Sequence, residues 1–189
     1  MEKIIALDKQ LFVFLNNLGS VPYDQFWLLI TKQLHWTPFF LALAYILYKK
    51  IGGKKLALLF VTIAVMLVFT DQVTNLVKDT VQRLRPCNDL EIKHLIRIVK
   101  SSDTFSYFSG HASNSSASMM LIFLILRRYY KHTYLIFLFP LIFAYSRIYL
   151  GLHFPLDIIT GYAFGALSGL TFYQIYKKLE ILSLNPRNG

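Results

Sequence analysis

A histidine and an aspartate four residues apart, His153 and Asp157, have the types and spacing needed for nucleophilic chemistry. Pro155 suits the first position of a helix, which places Asp157 in the first turn, where its carboxylate can reach back toward His153. A carboxylate that accepts from one imidazole nitrogen fixes the tautomer and leaves a lone pair on the other. The alternative is an aspartate that stabilises the helix dipole beside a histidine without a chemical role. Arg147 joins the same cluster without a simple structural partner, which favours the chemical interpretation.

The segment Ser109-Gly110-His111 has the composition of a helix start that binds an anion. Serine is a preferred N-cap residue, and the free N–H groups of a first helical turn attract negative charge. His111 lies beside these groups and can donate a proton, while Gly110 lets a ligand approach the backbone closely. An ordinary N-cap next to an interfacial histidine fits the same residues, so this segment alone supports both interpretations.

Two bases near the end of an apolar segment, Lys78 and Arg85, are a third candidate for anion binding. Residues seven apart on a helix project within about 20° of each other, so the two side chains are predicted to share a face before Pro86 stops the helix. Together they can hold a multiply charged anion, and a guanidinium suits phosphate oxygens. The alternative is that they anchor the helix end at lipid headgroups. Three more polar residues on this helix suit either function or packing: Asp71, Gln72 and Asn75.

Membrane helices are the elements predicted to position these residues. The chain is 55% hydrophobic and only 16% charged, which is too apolar for an ordinary soluble domain. Several apolar stretches approach the roughly 20 residues that cross a bilayer as helix. We predict one all-α domain over residues 1–189, a polytopic transmembrane helical bundle of five spanning helices plus an interfacial helix at about 4–18, six in all. The spanning helices are predicted at about 36–48, 56–78, 112–126, 134–149 and 156–176.

The basic residues predict which way this bundle faces. Net charge is +10, but the bases form short clusters between apolar runs, which is a pattern of membrane topology and not of a nucleic-acid surface. Short cytoplasmic loops are enriched in Lys and Arg, so the clusters predict the cytoplasmic side. All three candidate segments then fall on the opposite side, where the polar loop 87–108 is long enough to cap a site. The clusters are Lys49, Lys50, Lys54 and Lys55; Arg127, Arg128 and Lys131; and Lys177 with Lys178.

The three segments together resemble the signature of a known family, the type 2 phosphatidic acid phosphatase (PAP2) superfamily. The resemblance covers roughly residues 78–157, and the family usually has proline where this chain has Phe108. Its three parts are Lys78, six residues, Arg85-Pro86; Ser109-Gly110-His111; and Ser146-Arg147, five residues, His153, three residues, Asp157.

The resemblance implies a phosphatase that works through a phosphohistidine. His153 would attack phosphorus while Asp157 orients it, and His111 would protonate the leaving oxygen and later activate water. Permanent cations and a helix N-terminus would stabilise the transferred phosphoryl group, so no metal and no other cofactor is expected. The implied phosphate-binding residues are Lys78, Arg85, Ser109, Gly110 and Arg147.

The implied substrate is a lipid phosphate held in a bacterial inner membrane and processed on the periplasmic side, with no obligate protein partner. The compact chain resembles small family members that recycle undecaprenyl diphosphate, which is the substrate the sequence favours. Lipid A phosphatase and phosphatidylglycerophosphate or phosphatidate phosphatase are the alternatives within the family. Of other classes, an anion transporter would need polar residues running through the helices, and a lipid-binding subunit would not need the His153–Asp157 pair.

Overall fold

The computed structural model describes residues 2–184, and this range is helical without any strand. Residue 1 and residues 185–189, the two ends of the predicted domain, lie outside the described range. Short 3₁₀ turns connect several of the helices and precede the fifth. The α-helices are α1 (Glu2–Asn17), α2 (Asp24–Ile30), α3 (Thr37–Val81), α4 (Gly110–Leu126), α5 (Leu138–Tyr149) and α6 (Pro155–Leu184).

The long helix α3 consists of two halves that meet at Gly52. The backbone there has φ 78° and ψ 166°, a conformation that glycine adopts at little cost. A basic loop was predicted between separate helices, but the structure keeps residues 49–55 helical apart from this one break. Leu47 and Phe60, on opposite sides of the break, line the same cavity, so the two halves lie side by side.

Helix α6 packs against α4 through a row of glycines four residues apart, at Gly161, Gly165 and Gly169. A Cβ at Gly161 would lie 2.6 Å from the carbonyl oxygen of Ser109, and one at Gly165 would lie 2.2 Å from that of Ser113. Small residues at this spacing let two helix backbones approach closely. The contact fixes the N-terminus of α6 beside the N-terminus of α4, which is where the candidate residues of both helices lie.

Helix α1 occupies the predicted interfacial segment and docks on the end of α5. Phe12 is fully buried on its inner face. The side-chain amide of Asn16 donates to the carbonyl oxygens of Ile148 (3.0 Å), Tyr149 (3.0 Å) and Arg97 (3.1 Å). A buried amide with several backbone partners holds the helix in one register.

The three basic clusters converge at the end of the bundle opposite to α1. The Lys50 ammonium lies 5.2 Å from the centre of the Tyr130 ring, next to the second cluster. Lys55 forms an ion pair of 2.8 Å with Glu180, next to the third. The clusters therefore meet at one end of the bundle, and the side of the membrane on which this end lies stays a prediction.

The number of membrane-spanning helices stays a prediction. Among residues 2–184, one segment, Gln33–Asn88, is apolar and long enough to cross a bilayer by length and composition, and Thr133–Tyr149 is a shorter apolar stretch. Helices α4, α5 and α6, with the 3₁₀ helix Thr133–Phe137 before α5, nevertheless cover the remaining predicted segments.

Candidate active site

The prediction that Lys78 and Arg85 share a helical face is wrong, because α3 ends at Val81. Gln82 adopts the left-handed conformation (φ 52°, ψ 31°) and donates its N–H to the Lys78 carbonyl oxygen, which closes the helix. The chain then becomes extended, with φ −72° and ψ 155° at Arg85. Alternate residues of an extended chain point to one side, so Arg83 and Arg85 both face inward.

Arg85 contacts the predicted nucleophile directly. Its Nη1 lies 3.0 Å from Nε2 of His153 and donates to the Leu152 carbonyl oxygen at 2.9 Å. Its other nitrogens donate to Thr104, at 2.8 Å to both the carbonyl and hydroxyl oxygens. A guanidinium only donates, so Nε2 of His153 is the acceptor and Nδ1 carries the hydrogen. The lone pair of His153 therefore lies on Nε2, on the side of Arg85.

Asp157 lies on the opposite side of the His153 ring. Its Oδ2 is 3.5 Å from Nδ1 of His153 and accepts from the Phe154 N–H at 2.9 Å. Nδ1 of His153 has no hydrogen-bond partner among the described residues, and catalytic hydrogen bonds often tighten only when substrate binds. Both side chains are almost completely buried, and Asp157 is in the first turn of α6, as the sequence predicted. The structure brings the two residues together, and their catalytic roles stay predictions.

A tight turn between α5 and α6 brings Arg147 and His153 to the same place. The Leu152 and His153 N–H groups donate to the Arg147 carbonyl oxygen at 2.9 and 3.3 Å. Gly151 has φ 86°, and a Cβ there would also lie 3.2 Å from the Arg97 carbonyl oxygen. The turn thus requires glycine for both conformation and space.

Burial lowers the pKa of His153 well below its ordinary value, and the positive charges of Arg85, Arg147 and Lys78 lower it further. The imidazole is therefore neutral at neutral pH, which keeps the Nε2 lone pair available for attack.

Arg147 is a buried cation with few partners. Its Nη1 donates to the Thr31 hydroxyl at 2.6 Å, while its buried Nε has no hydrogen-bond partner among the described residues. An unpaired buried charge is costly, so this arrangement indicates a place for an anion.

Within residues 2–184, His, Cys, Asp and Glu side chains form no group of three that could hold a metal ion.

The start of α4 has the predicted N-cap. The Ser109 hydroxyl accepts from the Ala112 N–H at 3.4 Å, and the Ser109 N–H donates to the Asp157 carbonyl oxygen at 3.0 Å. This last bond joins the two helix starts directly. His111 follows in the first turn of α4 and lines the same cavity as Lys78.

A cavity of about 530 Å³ opens from this point along α3 and α4. Lys78, Gly110 and His111 line one end, and Leu47 and Phe60 line the other. At 1.5 Å per helical residue, Lys78 and Phe60 are about 27 Å apart. Four polar residues line the cavity between its two ends: Asp71, Asn114, Ser115 and Ser118. The cavity thus has charged, polar and apolar parts in succession, as an amphiphilic ligand would need.

The structure adds two residues that the sequence analysis missed, Arg83 and Asp8. Arg83 donates from Nη1 to Oδ1 of Asp157 at 2.7 Å and from Nη2 to Oδ2 of Asp8 at 2.6 Å. Its guanidinium also lies 3.9 Å from the centre of the Phe154 ring. The one sequence signal was the position of Arg83 two residues before Arg85; nothing local marks Asp8 in its amphipathic helix.

Comparison with known proteins gives matches over most of the chain. The sequence model described as PAP2 superfamily matches residues 54–181. A lipid A 4'-phosphatase of Bacteroides thetaiotaomicron is 32% identical over 183 residues, covering 95% of this chain and 81% of the relative. A lipid A 4'-phosphatase of Porphyromonas gingivalis is 27% identical over 179 residues, covering 93% and 75%. An undecaprenyl-diphosphatase of Sulfolobus acidocaldarius is 28% identical over 181 residues, covering 93% and 77%.

The fold also matches a solved structure. The crystal structure of a transmembrane PAP2 type phosphatidylglycerolphosphate phosphatase from Bacillus subtilis superimposes with a TM-score of 0.72 at 16% identity, covering 96% of this chain and 90% of that one. At this identity the likeness shows a common fold.

Proposed function

The chain belongs to the PAP2 superfamily and is a membrane lipid phosphatase, and we propose that it dephosphorylates a phosphorylated glycolipid of the lipid A class through a phosphohistidine at His153. The observation that carries the proposal is the buried His153, whose Nε2 accepts from Arg85 and whose Nδ1 faces Asp157. A neutral imidazole oriented in this way is a nucleophile, and the cations around it suit a phosphate.

In the first step, the substrate phosphate takes over the hydrogen bond that Arg85 makes to Nε2 of His153. Lys78, Arg85 and Arg147 hold its non-bridging oxygens, and Nε2 forms a bond to phosphorus while the bond to the leaving oxygen breaks. The negative charge of the bound phosphate favours the protonated form of His111, which gives its proton to that oxygen, and the oxygen leaves as the hydroxyl of the lipid. Asp157 stabilises the positive charge that develops on His153.

In the second step, water hydrolyses the phosphohistidine. His111, now without its proton, accepts one from the attacking water, and the oxygen of that water bonds to phosphorus as the bond to Nε2 breaks. Inorganic phosphate leaves and His153 returns to the neutral state. The chain's own cations supply the charge stabilisation throughout, so the proposed reaction needs no metal ion.

The cavity supports a glycolipid as the leaving group. Asp71 lies seven residues below Lys78 on α3, about 10 Å deeper, and Asn114 and Ser118 line the same level from α4. Sugar hydroxyl and amide groups next to a phosphate can pair with such side chains, and the apolar end can take an acyl chain. The relative that is 32% identical and named for lipid A 4'-phosphatase activity supports the same substrate class.

Undecaprenyl diphosphate is the second candidate. A relative 28% identical carries the name undecaprenyl-diphosphatase, which supports it. A prenyl chain, however, would present only apolar surface to Asp71 and Asn114. Each of these side chains has a hydrogen-bond partner, Asn75 for Asp71 and Thr70 for Asn114, and hydrocarbon over them would deprive their other polar atoms of water. This cost places undecaprenyl diphosphate second.

We also propose that the protein crosses the bacterial inner membrane several times and that its site opens to the periplasm. This orientation is supported by the basic clusters, because Lys50 and Lys55 meet the other clusters at the end of the bundle away from His153.

The substrate proposal is tested with purified protein in detergent and four lipids: bisphosphorylated lipid A, undecaprenyl diphosphate, phosphatidylglycerophosphate and phosphatidate. We expect the highest kcat/KM on lipid A, with mass spectrometry locating the lost phosphate. Preferred release from undecaprenyl diphosphate would reverse the order of the two candidates. No release from any of the four by a folded protein would contradict both.

A further inference from the structure

We propose that Arg83, held by Asp8 of α1, is a positioning residue that fixes the carboxylate of Asp157 and thereby the nucleophile. The inference rests on the proposed phosphohistidine reaction, in which Asp157 orients His153. It assigns the N-terminal helix a part in catalysis, although none of the three proposed phosphate-binding cations lies on α1. These cations are Lys78, Arg85 and Arg147.

The two oxygens of Asp157 have separate tasks. Oδ2 accepts from the Phe154 N–H at 2.9 Å and faces Nδ1 of His153 at 3.5 Å. Oδ1 is bound by Arg83 at 2.7 Å. A carboxylate held through one oxygen cannot rotate freely, so Arg83 determines where the other oxygen meets His153. The burial of Asp157 also excludes water as a substitute partner, because its side chain is 0% exposed.

Arg83 is itself held on several sides. Its Nη2 donates to Oδ2 of Asp8 at 2.6 Å, and its guanidinium lies over the Phe154 ring. Its carbonyl oxygen accepts from the Ser106 N–H at 2.8 Å. A planar guanidinium can bind two carboxylates in fixed directions, whereas an ammonium is a flexible point charge. Arginine is therefore the residue suited to this bridge.

Asp8 completes the bridge from the side of α1. Its Oδ1 accepts from the Leu156 N–H at 2.8 Å, one of the free donors at the start of α6. Phe12, one turn further along α1, packs edge-on against Phe154 with ring centres 5.3 Å apart. Asp8 thus connects α1 both to the start of α6 and, through Arg83, to the catalytic carboxylate.

The test measures kcat and KM for Arg83→Gln, Arg83→Lys and Asp8→Asn. Outer partners that orient an active group are worth about 10–100-fold, so Arg83→Gln is expected to lower kcat by that factor. KM should change little, because Arg83 does not contact the phosphate. Arg83→Lys should recover part of kcat, and Asp8→Asn should lower it less than Arg83→Gln.

A double variant separates positioning from packing. If Arg83 acts through Asp157, adding Arg83→Gln to Asp157→Asn should lower kcat little beyond Asp157→Asn alone. Lys9→Gln is the matched control. Lys9 also joins α1 to the loop between α3 and α4, with its ammonium 2.7 Å from Asp89 and 2.6 Å from Glu91, but it does not contact Asp157. Its kcat should equal that of the unsubstituted protein.

Three results would overturn the inference: unchanged kcat in Arg83→Gln, a raised KM with unchanged kcat, or losses that multiply fully in the double variant. If Arg83→Gln does not fold, Arg83→Lys and Asp8→Asn give the same measurements, and unchanged kcat in both would overturn it. Failure of the phosphohistidine proposal is recognised separately, by turnover in His153→Ala.

Discussion

Replacing Asp157 with asparagine preserves the shape of the side chain but converts one acceptor oxygen into an NH₂ donor. In the native site both oxygens accept: Oδ1 from Arg83 at 2.7 Å, and Oδ2 from the Phe154 N–H at 2.9 Å. An amide has a single oxygen, so either orientation of Asp157→Asn places the NH₂ group against a donor. The substitution therefore disrupts one side of the native arrangement in every rotamer.

The size of the effect follows from these partners. If the NH₂ group faces Arg83, a hydrogen bond to a charged group is lost, which costs about 1.5–3 kcal/mol. If it faces His153, the imidazole is driven to the tautomer with hydrogen on Nε2, which cannot attack. In both orientations the negative charge that stabilises the imidazolium is gone. In a serine protease, replacing the aspartate that orients the catalytic histidine by asparagine lowers kcat by about 10⁴-fold, which is about 5.4 kcal/mol of activation free energy. We expect Asp157→Asn to lower kcat by about 10³–10⁴-fold.

Phosphate release by the purified Asp157→Asn variant measures this loss, with KM determined alongside. Asp79→Asn is the matched control, because Asp79 is an exposed acid near the end of α3. The control should retain full activity and unfold near the native temperature, while Asp157→Asn should still fold but unfold a few degrees lower, because it loses a hydrogen bond to a charged group. Asp157→Asn activity within tenfold of the native value would refute the orienting role of Asp157.

Three further predictions concern the metal, the helix contact and the orientation. Activity should persist in EDTA, because the chain's own cations stabilise the phosphate, and loss on chelation with recovery on adding one divalent ion would contradict this. Gly165→Ala should lower the free energy of unfolding by about 1–3 kcal/mol, because its Cβ would lie 2.2 Å from the Ser113 carbonyl oxygen. The control Gly53→Ala meets only an ordinary 3.6 Å contact, and equal free energies of unfolding for the two variants would count against the close packing. In a cysteine-free background, an impermeant thiol reagent on intact cells should label Asp103→Cys and not Lys54→Cys, and the reverse would place the site in the cytoplasm.

Local spacing in the sequence was sufficient to predict the features that depend on residues close together in the chain. Ser109 caps α4 and Asp157 lies in the first turn of α6 because capping and first-turn preferences act within a few residues. The prediction that Arg85 lies on a helix was wrong because the local sequence does not mark the true end of α3. Pro86 suggested the end of α3, but Gln82 ends it earlier in a left-handed conformation that glutamine does not signal.

Contacts between distant segments could not be predicted in this way. Arg83 meets Asp8 and Asp157, which are separated from it by 75 and 74 residues, and no periodicity reports such a pairing. The row of Gly161, Gly165 and Gly169 is different, because its four-residue spacing in the sequence already indicates a close helix contact. What the sequence could not identify was the partner, which the structure shows to be α4.

Locating the phosphate on the enzyme during turnover tests the phosphohistidine mechanism most directly. Native protein is mixed with excess lipid phosphate, quenched in alkali, where phosphohistidine survives, and digested for mass spectrometry. We expect phosphate on His153, and neither a phosphorylated peptide nor phosphate release from a folded His153→Ala variant. Phosphate on another residue, or normal turnover by His153→Ala, would contradict this mechanism.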